Sequence, residues 1–120
     1  MTPTWFHGSP LALTVLKRGS TITQDRHLAE VFSHKPGIVS VDDDGAIKHD
    51  GVLPGLLYRI VEKVASDDVC PHPNSSMAPG REWLTTRDLL LELIGPVEIV
   101  AGERLTEEEL AALRRLLDRR

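Results

Sequence analysis

The sequence predicts an α+β fold: one domain over residues 1–120 with a largely antiparallel sheet, two N-terminal helices and a C-terminal helix. Three observations carry that expectation. Short β-favouring stretches recur along the chain without a regular alternation of strand and long helix. Helical spacing of apolar residues is confined to residues 10–34 and to residues 105–117. The length of 120 residues suits one core that buries about two-thirds of the unfolded surface.

Residues 5–9, Trp-Phe-His-Gly-Ser, read as a first strand, because aromatic residues favour a pleated surface. Residues 10–16 are expected to form a short helix. Pro10 suits its first position, Leu11, Val15 and Leu16 share a face, and Gly19 provides a stop. After an extended piece at residues 20–22, Thr23 is expected to cap a second helix that buries Leu28, Val31 and Phe32. Pro36 disfavours a helical Lys35, so this helix ends near His34. Residues 38–41 form a strand that runs into the turn Asp42-Asp43-Asp44-Gly45. The three acids lack the spacing and distal glutamate of a calcium loop, which leaves a solvated turn. Residues 51–55 are a loop, and residues 56–64 are the clearest strand. Residues 65–80 have no periodicity and read as a long loop of functional or mobile type. Cys70 and His72 within it are two ligands without a second pair, so no zinc site is expected. Residues 81–86, 89–94 and 96–101 are extended. In the last helix, Thr106 and Glu109 make a capping box, and Leu105 and Leu110 a staple. Leu110, Leu113, Leu116 and Leu117 are expected to be its core stripe.

Composition narrows the function. Apolar residues make up 41% and charged residues 27%, as in folded globular proteins. The net charge of −4 comes from interspersed acids and bases, so a nucleic-acid scaffold is disfavoured as a partner. No apolar run is long enough for a membrane span, and the start lacks a signal-peptide pattern. One cysteine cannot make an internal disulfide, which fits a reducing cytoplasm.

The chemistry-bearing stretch is His7-Gly8-Ser9. A strand that ends in His-Gly-Ser puts an imidazole at the mouth of a sheet, and the glycine permits close approach. The same residues are also ordinary turn chemistry. With Glu82-Trp83, they resemble the ADP-ribosyltransferase superfamily: His-Gly-Ser on a first strand, a Ser-Thr piece leading into a helix with an aromatic, and a late Glu followed by an aromatic. Poly-ADP-ribose polymerases, diphtheria-type toxins and small bacterial rifamycin ADP-ribosyltransferases carry this order. The resemblance covers about residues 4–100, mainly as order and spacing.

The resemblance implies a largely antiparallel mixed sheet split around an NAD cleft, and transfer of ADP-ribose with release of nicotinamide. His7 matches the histidine that orients the dinucleotide through a ribose hydroxyl. Gly8 and Ser9 match the backbone and hydroxyl that hold nicotinamide. Thr21 falls where many members stack a tyrosine on the ring, a departure because threonine cannot stack. Phe32 falls near a second ring-stacking aromatic. Glu82 matches the catalytic glutamate. It opens a strand after a loop, where little burial is expected. Read without the family, Glu82 is a strand-end carboxylate paired with Arg81 or Arg87, and Phe32 is plain core. The partners implied are NAD, as substrate, and an acceptor of unknown class, small molecule or macromolecule. Two alternatives remain open: a non-catalytic NAD or nucleotide binder, and a protein-interaction module that uses the loop at residues 65–80.

Overall fold

The computed structural model describes residues 3–73 and 80–118. Its elements run β1 (Phe6–Ser9), β2 (Val15–Leu16), β3 (Thr21–Ile22), α1 (Arg26–Phe32), β4 (Val39–Val41), β5 (Ile47–His49), β6 (Gly55–Ile60), β7 (Val69–Pro71), β8 (Trp83–Thr85), β9 (Leu89–Val97) and α2 (Glu107–Asp118). Single 3-10 turns lie at Ser66–Asp68 and Ala101–Glu103. This is an α+β chain dominated by strands.

All named strands pair antiparallel. One sheet has the order β1-β6-β9-β2, a second β3-β8-β7, and β4-β5 form a hairpin. A bridge between Phe6 and Thr23 joins the first two sheets into one curled surface. There the Phe6 N–H donates to the Thr23 carbonyl at 2.7 Å, and the Thr23 N–H donates back at 3.0 Å. Chain-distant residues thereby become neighbours: β1 touches the end of β3, and β3 pairs with β8.

The main core is made of Trp5, Leu16, Ile22, Tyr58, Ile60, Leu89 and Leu91, with Trp83 packed against it. Trp5 and Trp83 meet edge to face, with centroids 6.1 Å apart. A second cluster, Leu28, Val31 and Ile47, joins α1 to the β4-β5 hairpin. Helix α1 lies on β1 at very close range. A Cβ on Gly8 would sit 1.8 Å from the Ala29 carbonyl oxygen, so only glycine fits there.

Several expectations are corrected. Only one helix precedes β4. Residues 10–16 form a turn followed by β2, because long-range partners outweigh the local apolar spacing. The Tyr58 hydroxyl donates to the Leu11 carbonyl at 2.7 Å and accepts from the Leu13 N–H at 2.9 Å. Val15 and Leu16 then pair with β9. Gly19, with φ of 84°, turns β2 into β3 rather than ending a helix. Asp25, not Thr23, caps α1 through its side chain. Residues 69–71, expected in a loop, are a strand through pairing with β8, and residues 47–49, for which no element was expected, are a strand through pairing with β4. Residues 74–79 of the expected loop lie outside the described residues. The two stretches expected on either side of Gly95 form a single β9, bulged against Leu57/Tyr58 of β6. The capping box of α2 is present: the Thr106 N–H donates to Glu109, and the Glu109 N–H donates to Thr106. In the leucine stripe expected as core on α2, Leu110 and Leu113 are only half-buried. Leu116 is 61% exposed, while Leu105 ahead of the helix is buried. No helix among the described residues is long and apolar enough to cross a membrane.

Candidate functional site

A cleft of about 680 Å³ opens between β1, the end of β3, α1 and the start of β8. That volume is in the range of small-molecule sites. His7, Gly8, Ser9, Thr21, Phe32 and Glu82 all line it. The six residues singled out in the sequence therefore share one concave surface.

Strand β1 supplies the floor. His7 is partly buried, and its Nδ1 lies 2.6 Å from the Thr21 carbonyl oxygen. A carbonyl only accepts, so Nδ1 carries the hydrogen and Nε2 keeps a lone pair in the neutral ring. Burial lowers the pKa of His7 and outweighs the opposing carbonyl bond. A neutral imidazole fixed in this way can accept a hydrogen bond from a ligand hydroxyl.

Gly8 offers backbone instead of side chain. The Phe6 N–H and C=O both point to β3, as their bonds to Thr23 require. Directions alternate along a strand, so those of Gly8 point to the same edge, past the bridge to Thr23. They present one donor and one acceptor toward the cleft. Ser9 is buried, and its Oγ accepts from the Leu11 N–H at 3.1 Å, which leaves its hydroxyl hydrogen to donate.

Alternation also explains β3. Ile22 enters the core, while Thr21 and Thr23 border the cleft. Thr21 contributes its carbonyl to His7 and presents no ring, so the departure from the family pattern stands. Phe6 and Phe32 are the phenyl rings of the lining. Phe32 closes α1 and also packs against the second core cluster, so it serves core and cleft together. Ala29, one turn earlier, lines the cleft too.

Glu82 precedes β8. Extending the β3-β8 register sets it opposite Thr23, next to the Phe6 bridge. Trp83 turns into the core, so Glu82 turns outward into the cleft. Its side chain keeps only 11% exposure, more burial than a strand opening implies. The expected arginine partners are engaged elsewhere. Arg81 pairs with Asp25 at the cap of α1, at 2.6 Å, and Arg87 with Asp68 and Glu62. The neighbour of Glu82 is His72, whose Nε2 lies 3.9 Å from the carboxylate. The β7-β8 pairing delivers it, since the His72 N–H donates to the Glu82 carbonyl. The Cys-Pro-His segment thus backs the site, although its lack of periodicity hid that role.

Sequence reasoning also missed Lys35, Leu53 and Phe6 in the lining. Lys35 follows α1 with φ of 51°, a left-handed conformation that costs a lysine about 1–2 kcal/mol. Pro36 marks the helix end in sequence, but nothing marks the sign of φ.

Two buried histidines brace the wall that carries Leu53. His34 and His49 stack with centroids 5.6 Å apart. The His34 Nδ1 lies 2.8 Å from the Leu53 carbonyl, and the His49 Nδ1 accepts from the Gly51 N–H at 3.1 Å. The His49 Nε2, which then carries the hydrogen, is buried and has no hydrogen-bond partner among the described residues. Burial, chiefly, and the nearby His34 lower the pKa of His49. The sign follows: the unfolded chain takes up protons near pH 6.5, and folded His49 and His7 resist them. Stability is full above about pH 6.5 and falls as the pH drops below it, by at most about 1.4 kcal/mol per pH unit per histidine. Urea unfolding at pH 7.5 and 5.5 is expected to give a lower midpoint at 5.5, with a smaller drop in His49→Asn. Equal midpoints in the wild type would refute this.

Comparison with protein-family models, curated proteins and solved structures finds no match to this chain. Function therefore rests on the site itself.

Proposed function

We propose that the cleft binds NAD as a substrate and that the protein transfers its ADP-ribosyl group to an acceptor, releasing nicotinamide. The observation behind this reading is convergence: His7, Gly8, Ser9, Thr21, Phe32 and Glu82, drawn from four separate stretches of chain, border one cleft. The chemistry of each group agrees with the task. The His7 Nε2 accepts from a ribose hydroxyl. The N–H and C=O of Gly8 match the C=O and N–H of a carboxamide. The Ser9 hydroxyl adds a donor. Phe32 offers a face to the ring.

The reaction breaks the bond between the ribose anomeric carbon and the nicotinamide nitrogen. The bonding electron pair leaves with nicotinamide and neutralises its ring, so the leaving group needs no proton. Positive charge develops on the sugar, as in glycoside cleavage. The Glu82 carboxylate, held in a largely water-excluded position, stabilises that charge more than it stabilises bound NAD. The acceptor then forms a bond to the anomeric carbon and loses its own proton.

Calorimetric titration with NAD tests binding, and nicotinamide release over hours tests transfer. Saturable binding with release is the expected result. Binding without release would leave a non-catalytic NAD binder, the outcome that Thr21 in place of a stacking aromatic favours. No binding would overturn the proposal.

A further inference from the structure

Among the described residues that line the cleft, Lys35 brings the sole lysine or arginine side chain and Glu82 the sole carboxylate. Lys35 is also the one non-glycine among the described residues with positive φ, at 51°. Ending a helix does not require this. Glycine or asparagine holds the same conformation with less strain, and Pro36 alone stops the helix. Strain of this kind persists where the surroundings over-determine it, and it concentrates at ligand clamps.

The surroundings of Lys35 are over-determined. Its N–H donates to the Phe32 carbonyl at 3.0 Å. Just beyond Pro36, the N–H groups of Gly37 and Ile38 both donate to one Asp50 carboxylate oxygen, each at 2.8 Å. His34, one residue earlier, is anchored to the Leu53 carbonyl. The backbone on both sides is thus fixed, and the side chain leaves it at the rim of the cleft. Lys17, Lys48, Arg59, Arg81 and Arg87 pair with carboxylates; the Lys35 ammonium, like the side chains of Arg18, Arg26, Lys63 and Arg104, is in no ion pair among the described residues, and of these Lys35 alone lines the cleft. It remains available to a ligand.

We infer that Lys35 is the anion subsite of the cleft and takes the diphosphate of a bound nucleotide. The identity of the nucleotide rests on the NAD reading above; the capture of a diphosphate does not. A lysine ammonium is a compact point charge suited to phosphate oxygens. The charge layout fits such a ligand: the ammonium after α1 meets the anionic middle, and the Glu82 carboxylate just ahead of β8 lies elsewhere in the lining, where it does not repel the diphosphate from Lys35.

The test sets stability against affinity. In Lys35→Gly the left-handed backbone is relaxed, so the thermal midpoint rises, while affinity for ADP and for NAD falls about 10–100-fold, the scale of one charge-assisted hydrogen bond. Lys35→Arg keeps most of the affinity. Nicotinamide riboside, which lacks the diphosphate, binds wild type and Lys35→Gly alike. Wild-type affinity for ADP weakens from 50 to 200 mM salt more steeply than that of Lys35→Gly. A Lys35→Gly protein that binds ADP as tightly as wild type overturns the subsite, whatever its stability. The two proposals fail separately. If ADP and inorganic pyrophosphate bind through Lys35 but NAD does not bind, the subsite stands and the NAD reading falls. If NAD binds and Lys35→Gly leaves its affinity unchanged, the reverse holds. If none of the three binds wild type, both fall.

Discussion

Glu82→Gln is expected to slow nicotinamide release on the order of 10²–10³-fold, the scale of removing one preorganised electrostatic group. Affinity for NAD should change far less, because the charge that the carboxylate opposes appears only in the transition state. Glutamine keeps the shape of the side chain and one carbonyl acceptor. The protein should stay folded, since neither Arg81 nor Arg87 depends on Glu82 for a partner. Single-turnover release and a titration on the same preparations separate the two effects. A variant that loses binding and rate together points to a positioning role. A variant as fast as wild type sinks the catalytic assignment. Glu92 and Glu98, the other carboxylates that follow Glu82 on the extended segments, could not inherit it. Neither lines the cleft, and Glu92 is exposed and paired with Arg59.

The candidate site was more legible in sequence than the fold around it. His7-Gly8-Ser9 is readable because an aromatic strand ending in a glycine turn is a local pattern, and the whole stretch lies on one strand and its exit. The capping box of α2 was readable for the same reason: its bonds link residues three apart. Residues 10–16 misled because Leu11, Val15 and Leu16 have helical spacing, whereas their conformation is decided by Tyr58 and by β9. Strand β7, Val-Cys-Pro, carries no alternation of its own and is specified by β8. The stripe on α2 was correctly periodic. Periodicity shows which face is apolar; it does not show that anything covers that face, and Leu116 remains exposed. Lys35 is the plainest case. Its value to the site lies in a backbone angle, and lysine does not announce a positive φ.

Gly8→Ala should be the most destabilising small substitution in the chain and should damage the cleft as it does so. The new Cβ would lie 1.8 Å from the Ala29 oxygen, 2.9 Å from the Ala29 carbonyl carbon and 2.8 Å from the Ser33 nitrogen. All three atoms are backbone of α1 or its cap, so no rotamer change relieves the clash, and the helix must move off β1. Overpacking costs typically about 1–3 kcal/mol, and an obstacle that cannot rotate away belongs at or above the top of that range. Ala29 and Phe32 travel with the helix, so the wall opposite His7 moves and ligand affinity falls with stability. Gly55 provides the contrast. There a Cβ meets the Ser33 Oγ at 1.9 Å and the Ser33 Cβ at 2.5 Å, and Ser33→Gly removes both atoms. Gly55→Ala should therefore recover part of its loss when combined with Ser33→Gly, whereas no helix side-chain truncation should rescue Gly8→Ala. Gly95→Ala is the control, since a Cβ there meets nothing within 4 Å and φ is not positive. Urea midpoints for the four proteins give the ranking. A Gly8→Ala protein as stable as Gly95→Ala would mean that α1 does not rest on β1 at this glycine. The cleft, which depends on that contact for one of its walls, would then need to be redrawn.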